Sequence, residues 1–592
     1  MCGFCGFTKS SNDEILNAML NKIKHRGPDF TDSFVSDGFS MAFCAMDSMS
    51  SKVHDKGKGL VIAFDGEIEG VDASNTVNHT MLTALYEEHG EDMLNHLQGA
   101  FSFVIYDEKK EQVFAARDRL GIKPFYYAIL DGQMVFASEI KAILMHPDYK
   151  PILNEAALEQ YMSFQYSVLP ETFFKGIFKL PQASHLIFKD GNVSIKKYWE
   201  LKFTPTPQPF DKAVADVENA VINAIKPYKN KGDDIGTFLS SGVDSSFIAA
   251  CYRPKKTFTV GYSDGSYSEI EHAKLFSESM GIENVSALID PEDYFNILPR
   301  AMYYMDEPLA DPASIAFYFG CELAAKHVKT VFSGEGPDEF FGGYGIYYEP
   351  YALARLNFIP WPIRRGMSRL LASMPFYFRG MGYLIRAGKP IEDRFIGNAY
   401  IFTKRERERL LKRHLGLSAD TVTKPLYAKT NGLDDVTKMQ FIDINLWLVG
   451  DILHQADRIT AAHSLALKTP YLNSKIIEKA LTLPTNYRIT KTKDKIAFRE
   501  AASRHMPVST SHYVKRGFPV PLRVWLKEDK FYLRVKKHFE SEAAKEFFHA
   551  DKLMKMLDNH KNGRADNSRR IWVVLVFLIW YEQFFNTNNP QP

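Results

Sequence analysis

The sequence has few cysteines, and it shows neither a long apolar run nor the pattern of a secretory leader. Its five cysteines among 592 residues do not form the dense pattern of a disulfide framework, which favours a reducing compartment. The strongest apolar run, residues 571–580, is only about ten residues long, too short for a bilayer span of about 20 residues, so it predicts a buried helix. The N-terminus lacks the basic and apolar regions of a secretory signal. We therefore expect a cytoplasmic protein.

An excess of one charge is also absent. The formal net charge is +2, which argues against nucleic-acid and membrane partners. The hydrophobic content of 45% and the charged content of 24% are ordinary for globular proteins. A length of 592 residues predicts roughly two to four domains.

The local patterns divide the chain in two. Residues 1–200 read as short strands separated by turns, with one helix near residues 76–89, which predicts a mostly antiparallel α+β domain. A proline-rich linker covers residues 204–209. Strands and helices then alternate, which predicts a parallel sheet with ligands at the carboxyl ends of its strands. The predicted elements are helix 211–225, strand 235–239, helix 245–251, strand 256–260 and strand 328–332. Beyond about residue 345 the pattern is nearly all helical.

Cys2 becomes the N-terminal residue once Met1 is removed. A thiol beside its own α-amine, which titrates near pH ~8, can act as a nucleophile with a built-in base. Cys2 and Cys5 also form a Cys-x-x-Cys pair, which could bind zinc. Since no second cysteine or histidine pair follows at ligand spacing, the nucleophile is the favoured interpretation.

A serine- and glycine-rich loop, residues 240–246, follows an apolar strand and precedes a helix. Its backbone N–H groups and hydroxyls can bind phosphates at the helix N-terminus. It lacks the Gly-Lys-Ser/Thr ending of a Walker A loop. Asp244 at its end is the oxygen ligand type that Mg²⁺ prefers.

A second glycine-rich turn, residues 333–344, follows the predicted strand 328–332. It holds three carboxylates, Glu335, Asp338 and Glu339, between flanking glycines. Acidic loops are common on protein surfaces, but acids bracketed by glycines after an apolar strand favour a functional site.

The first half of the chain resembles the class II glutamine amidotransferases. The resemblance rests on Cys2 and on four segments in order: residues 25–29, 65–68, 116–124 and 136–141. In that family an N-terminal cysteine hydrolyses glutamine to glutamate and ammonia. The resemblance implies an N-terminal-nucleophile (Ntn) α/β/β/α sandwich with Cys2 as nucleophile. The glutamine-binding residues it implies are Asp65, Gly66, Glu67 and Asn78.

The second half resembles the asparagine synthetase family. The loop 240–246 is similar to its pyrophosphatase (PP) loop, with Ser241 replacing the usual first glycine, and the turn 333–344 is similar to its second signature. Residues 257–261, 306–314, 457–463 and 515–521 resemble further family segments. Glu335 would help to form an acyl-adenylate, Lys515 would reach the ATP phosphates, and Asp244 and Asp338 would hold Mg²⁺. The implied ATP-binding residues are Leu239, Ser240, Gly242, Asp244, Ser245, Val260, Ser333 and Gly334.

The resemblance covers almost the whole chain, from Cys2 to the apolar run near the end. It implies a glutamine amidotransferase domain over residues 1–200 and an ATP-pyrophosphatase domain with a largely helical second half over residues 210–592. The small molecules it implies are glutamine or ammonia, ATP with Mg²⁺, and aspartate as the acceptor. A homodimer is one assembly that it allows.

Besides Ser241, five positions depart from the family pattern. Ala42 stands where an arginine would pair with the glutamine carboxylate, Asp65 replaces an oxyanion-hole asparagine, and Asn78 replaces an aspartate. We therefore expect weak glutaminase activity, with ammonia the better nitrogen source, unless Arg26 replaces the lost arginine. Lys468 and Asn473 replace an arginine and an aspartate in the second half.

Those two replacements leave other functions open. The same chemistry could amidate a sugar acid, a peptidoglycan diamino acid or a peptide. An inactive partner-binding protein is a second alternative, although retention of Cys2, Asp244, Glu335 and Lys515 counts against it. A nucleophile of the proteasome type would leave the phosphate loop unexplained.

Overall fold

The computed structural model of this chain describes residues 2–46, 54–55, 59–70, 79–229, 235–374, 378–513 and 519–586.

The first domain contains two antiparallel sheets of six strands each. Their strand orders are β10-β8-β9-β1-β3-β2 and β12-β11-β7-β6-β5-β4. Apolar side chains of both sheets, such as Phe4, Phe43, Ala63 and Val104, pack between them. The strands are β1 (Cys2–Thr8), β2 (Phe30–Ser36), β3 (Phe39–Ala45), β4 (His54–Asp55), β5 (Leu60–Gly70), β6 (Leu97–Asp107), β7 (Gln112–Arg117), β8 (Tyr126–Leu130), β9 (Gln133–Ala137), β10 (Ile177–Lys179), β11 (Ser184–Lys189) and β12 (Asn192–Lys197).

Helices cover the outer faces of both sheets. Helix α1 (Asp13–Ile23) begins where Asn12 caps the backbone N–H groups of Glu14 and Ile15, and it buries Leu16 and Met19 against the first sheet. Helix α2 (His79–His89) covers the second sheet. Helices α3 (Ile140–Ile143) and α4 (Glu155–Phe164) complete the domain. The predicted α/β/β/α sandwich is confirmed.

The second domain contains a parallel sheet of five strands in the order β15-β14-β13-β16-β17. The chain runs outward from β13 through β14 to β15, then returns to the other side of β13 with β16. The strands are β13 (Ile235–Phe238), β14 (Lys256–Gly261), β15 (Glu283–Leu288), β16 (Thr330–Phe332) and β17 (Ala466–Lys468). The predicted parallel sheet is confirmed. Strand β17 was not predicted, because three residues are too few to display a period of two.

Helices surround this sheet and make up most of the chain after it, as predicted. Beside the sheet lie α5 (Phe210–Ile225), α6 (Val243–Tyr252), α7 (Ile270–Met280), α8 (Pro291–Asn296), α9 (Leu298–Met305) and α10 (Ala313–Ala325). The later helices are α11 (Pro337–Phe341), α12 (Glu349–Ala354), α13 (Trp361–Ser373), α14 (Met381–Ala387), α15 (Ile391–Arg394), α16 (Lys404–Leu410), α17 (Asp420–Tyr427), α18 (Asp435–Asn445), α19 (Leu453–Ala462), α20 (Ser474–Thr482), α21 (Thr485–Arg488), α22 (Ile496–Ser503), α23 (Val508–Ser511), α24 (Leu522–Trp525), α25 (Asp529–Phe539), α26 (Glu542–Phe547), α27 (Ala550–Lys561) and α28 (Ser568–Phe584).

The last helix, α28, joins the two domains. Residues 571–580 are buried in a core that also contains Tyr161 and Phe173 of the first domain. Tyr161 donates a hydrogen bond to the Val573 carbonyl, 2.9 Å away. The apolar run is therefore a core helix, as predicted. Among the described residues, no helix has the length and apolar character needed to cross a membrane.

Candidate functional site

Cys2 begins β1, the strand nearly central in its sheet. Its side chain is 6% exposed and lies in the layer between the two sheets. Burial raises the pKa of the Cys2 thiol, and Asp65 acts in the same direction, while Lys123 and Arg26 oppose them. Cys5 lies three residues along the strand and faces the opposite, helix-covered side. The two sulfurs therefore do not form a joint metal site, and all five cysteines are free.

Asp65 and Gly66 of β5 lie beside the start of β1. The backbone nitrogen of Cys2 donates to Asp65 Oδ1 at 3.1 Å. Gly66 has φ of +120°, and a side chain there would collide with the Ala100 carbonyl oxygen, so the position requires glycine. Of these two residues, which the resemblance assigns to glutamine binding, Asp65 contacts the Cys2 backbone directly and Gly66 follows it along β5.

Arg26 connects this site to the second domain. Its guanidinium is fully buried and donates to the Cys2 carbonyl at 2.9 Å and to Asp65 Oδ2 at 2.7 Å. It also donates to both carboxylate oxygens of Asp457 in α19, at 2.8 and 2.9 Å. A guanidinium with this many acceptors cannot also bind a glutamine carboxylate. These contacts do not support the alternative that Arg26 replaces the lost arginine.

The Arg26–Asp457 pair belongs to a larger buried ionic cluster. Burial opposes ionisation of Asp457, but Arg26 and Lys123 outweigh it and lower the pKa of Asp457. The same balance applies to Glu139. Burial opposes its ionisation, but His25, Lys141 and Arg458 outweigh burial and hold the pKa of Glu139 well below its usual value. The charged members are Arg26, Lys123, Lys141, Arg458, Asp65, Glu139, Asp306 and Asp457. These residues come from motifs that are far apart in the sequence. The motifs of the two domains thus meet at one interdomain contact.

The side chain at position 42 points away from the Cys2 thiol. Cys2 pairs with Ala45 in the register of β1 and β3, and Ala42 pairs with Cys5. Because side chains alternate along a strand, Ala42 faces the helix-covered side together with Cys5. The expectation that an arginine at position 42 would reach a glutamine beside Cys2 is not supported by this register.

Glu67 contacts the second domain through its carboxylate. Lys468 Nζ lies 2.5 Å from Glu67 Oε1, and the Tyr228 hydroxyl donates to Glu67 Oε2 at 2.8 Å. Lys468 is the last residue of β17, and its carbonyl accepts the Ser333 backbone N–H at 2.9 Å. Lys468, read in the sequence only as a departure, is thus an interdomain contact. Asn473, the other departure, caps α20 through Lys475 N.

The phosphate loop lies between β13 and α6, as predicted. Ser245 Oγ accepts the Ser240 backbone N–H at 3.0 Å and lies 3.0 Å from Ser240 Oγ, which holds the loop closed. Ser241 replaces a glycine, and its hydroxyl donates to Glu269 Oε1 at 2.5 Å, tying the loop to the start of α7. Leu239 hydrogen-bonds to the Phe258 carbonyl, and Val260 is buried nearby in β14.

The second glycine-rich turn packs directly against this loop. A Cβ added to Gly334 would lie 3.1 Å from both Asp244 Cβ and Ser245 N, so the two loops approach as closely as a glycine allows. Ser333 donates to Glu335 Oε1 at 2.8 Å. The loops follow β13 and β16, the neighbouring strands between which the winding direction reverses. In open α/β sheets this switch point forms the ligand-binding crevice.

Lys495 also belongs to this crevice, although no pattern in the sequence indicates it. Its buried ammonium lies 2.7 Å from both oxygens of Asp244 and 2.7 Å from Asp338 Oδ1. It adopts a left-handed backbone conformation, with φ of +47°, just before α22. Left-handed non-glycine residues are costly and concentrate at functional sites. A lone lysine at the start of a helix carries no recognisable motif, so only the fold identifies it.

Two predicted site residues, Asn78 and Lys515, lie outside the described part of the chain. Asp244 and Asp338 are both present in the crevice. Among the described residues, no group of three or more histidine, cysteine or acidic side chains could hold a metal by itself.

Comparison with known proteins matches both halves of the chain. A family model described as a glutamine amidotransferase domain matches residues 1–199, and one described as asparagine synthase matches residues 216–582. Asparagine synthetase [glutamine-hydrolyzing] 1 of Bacillus subtilis (strain 168) is 36% identical over 98% of this chain and 96% of its own length. A putative asparagine synthetase [glutamine-hydrolyzing] of Mycobacterium tuberculosis (strain ATCC 25618 / H37Rv) is 34% identical over 89% of this chain and 81% of its own.

Proposed function

The chain belongs to the asparagine synthase family and is a ligase, and we propose that it converts aspartate, ATP and the amide nitrogen of glutamine into asparagine, AMP and pyrophosphate. In this proposal residues 1–200 release ammonia from glutamine, and residues 210–592 activate and aminate the acceptor. The observation that carries the proposal is the close packing of the two glycine-rich loops, with Lys495 between Asp244 and Asp338, at the switch point of the parallel sheet.

The PP-loop would bind the phosphates of ATP. Its N–H groups precede α6, whose N-terminus carries partial positive charge. Lys495 would stabilise the charge that develops between the α-phosphate and the leaving pyrophosphate. A preorganised donor of this kind is typically worth about 3–4 kcal/mol of transition-state stabilisation. Lys515 would contribute a second cation from the loop 515–521.

The carboxylates of Asp244 and Asp338 suit a role in holding Mg²⁺. Both approach one buried cation, Lys495 Nζ, so a positive charge is already favoured between them. Mg²⁺ is usually held by one or two carboxylates together with substrate phosphates, and when bound it neutralises phosphate charge. Two converging carboxylates fit this mode.

Glu335 would act on the acceptor side of the crevice. Adenylation joins the acceptor carboxylate to the α-phosphate and releases pyrophosphate, which turns a poor acylating group into a good one. Ammonia then attacks the acyl carbon, AMP leaves, and the nitrogen loses a proton. A carboxylate held by Ser333 near this point is a suitable general base.

Ammonia would come from the Cys2 site. The Cys2 thiol would give its proton to its own α-amine as the sulfur attacks the glutamine amide, the same proton would leave with the nitrogen as ammonia, and water would release glutamate from the thioester. The ionic cluster around Arg26 and the Glu67–Lys468 contact join this site to the second domain, which suits transfer of ammonia between them. Aspartate is proposed as acceptor because two relatives that match most of the chain carry asparagine synthetase in their names.

Acceptor-dependent pyrophosphate release tests the adenylation half. Asp244→Asn and Lys515→Ala should each lower it about 10²-fold or more, because each removes charge from the phosphate site. Near-normal turnover of both variants would contradict the assignment of the crevice. A thermal melt of each variant distinguishes lost chemistry from lost folding.

A further inference from the structure

One segment of the second domain is strongly cationic, although the chain as a whole is nearly neutral. Between Glu349 and Glu392 the sequence contains six arginines and one lysine but no aspartate or glutamate. The net charge of this segment is therefore +7, against +2 for the entire chain. The near-neutral net charge of the whole chain argued against a membrane partner, but it does not reflect the positive charge concentrated in this segment.

The described parts of this segment, residues 355–374 and 378–387, contain the two packed helices α13 and α14, and we call these residues the cationic hairpin. Helix α13 packs on α14 through Leu371, Met381 and Ala387, all buried. Ser368 donates to the Ile385 carbonyl at 2.7 Å. The inner face of the hairpin is therefore covered by contacts between its own two helices.

The outer face combines exposed apolar and cationic side chains. Its most exposed apolar members are Phe358 at 81%, Ile363 at 60% and Leu370 at 60%. Trp361 and Phe378 are also exposed, so five of the sixteen large exposed apolar side chains in the described residues lie in this one feature. Single exposed apolar residues are common, but a cluster of this kind marks an interaction surface.

The cationic hairpin also carries four exposed positive charges. Arg355, Arg365, Arg369 and Arg379 are exposed, and none has an acidic partner in the described part of the chain. Arg386, by contrast, pairs with Glu349. On α13, Arg365 and Arg369 are one turn apart, and Ile363 and Leu370 are two turns apart, so each pair forms a short stripe along the helix.

We propose that the cationic hairpin binds the surface of an anionic phospholipid bilayer. Arginines would contact lipid phosphates while Phe358, Ile363, Leu370 and Phe378 enter the boundary between headgroups and acyl chains. Amphipathic helices with basic and bulky apolar side chains bind in this way without spanning the membrane. A wholly polar acidic surface would match the charge but would leave the exposed aromatic and aliphatic groups in water.

Vesicle sedimentation of the full chain tests the proposal. The protein should sediment with vesicles of phosphatidylcholine containing about a quarter phosphatidylglycerol and remain in solution with phosphatidylcholine alone. Raising the salt concentration from about 0.15 M to 1 M should release it, because the screening length falls from about 8 to 3 Å.

Variants of α13 identify the surface. The Arg365→Gln/Arg369→Gln variant should bind about 25-fold more weakly, at about five-fold per charge. Leu370→Ser should weaken binding about ten-fold by removing apolar contact. The control is Arg405→Gln/Arg409→Gln, which removes two exposed arginines of the same spacing from α16, where Glu406 and Glu408 lie beside them. The control should bind like the parent, and all variants should keep their pyrophosphate release.

Three outcomes would overturn the proposal. These are no sedimentation with anionic vesicles, equal binding to neutral vesicles, and equal loss of binding in the α13 and α16 variants. Retention of the chain on immobilised polyglutamate, with no binding to vesicles, would assign the surface to an acidic protein partner and would also overturn it.

Discussion

Lys468 and Glu67 form an ion pair, with 2.5 Å between Nζ and Oε1, that links the last strand of the parallel sheet to β5 of the first domain. The carbonyl of the same lysine accepts the backbone N–H of Ser333 in the nucleotide crevice. One residue therefore contacts both the motif beside Cys2 and the second glycine-rich turn. This relationship suggests that the two reactions are coupled through a direct contact.

Glu67→Gln and Lys468→Met should separate the two activities. A charge-assisted contact of this kind contributes about 1.5–3 kcal/mol. Its loss should lower the rate of glutamine-supported synthesis at least about ten-fold and keep the rate of ammonia-supported synthesis within about two-fold of the parent. The measurement is glutamate released per pyrophosphate formed, which should rise above that of the parent. Lys475→Met removes a solvent-exposed lysine of α20 and serves as the control. Equal loss with both nitrogen sources would show that the pair is only structural.

Lys495→Met should lower acceptor-dependent pyrophosphate release about 10²-fold or more, because it removes the buried cation between Asp244 and Asp338. Lys493→Met removes an exposed lysine two residues away and should be silent. Initial rates at saturating ATP, with a thermal melt for each variant, check this prediction. Full activity of a folded Lys495→Met protein would remove Lys495 from the phosphate site.

Ammonia should support faster synthesis than glutamine. The carboxylate of Asp65 accepts hydrogen bonds from Cys2 N and Arg26, so it provides no donor for the oxyanion that forms on glutamine. Losing one such donor typically costs about 10²–10³ in rate. Product formation at saturating ammonia and at saturating glutamine gives the ratio, and Cys2→Ala should abolish only the glutamine rate. Equal rates with the two nitrogen sources would contradict the prediction.

The buried carboxyl of Asp443 should make stability depend on pH. Burial raises its pKa to about 7, although hydrogen bonds from Tyr347 and Asn398 oppose the shift. The unfolded chain loses this proton near pH ~4, and the folded protein loses it only near pH 7. As the pH rises from about 4 to 7, the free energy of unfolding should therefore fall by up to about 4 kcal/mol. Asp443→Asn should remove this slope. Chemical denaturation of both proteins at several pH values checks it, and parallel curves would refute it.

The sequence predicted the elements of the fold better than their meeting points. The strand–loop–helix at residues 235–252 has local signals, and so do the alternating strands of the first domain. The ionic cluster of Arg26, Asp65 and Asp457 could not be derived, because its members are separated by up to 431 positions and no local pattern records their contact. Lys495 was missed for the same reason. Ala42 was misjudged because a motif gives no strand register, and register decides which face a side chain occupies.

The central claim is that the crevice adenylates aspartate and that ammonia then displaces AMP. The most direct test incubates the full chain with aspartate, ATP, Mg²⁺ and ¹⁵N-labelled ammonia, and follows the products by mass spectrometry. We predict ¹⁵N-asparagine together with equal amounts of AMP and pyrophosphate, all of them lost when aspartate is omitted. Aspartate left unchanged under these conditions, with neither ¹⁵N-asparagine nor AMP formed, would contradict the account.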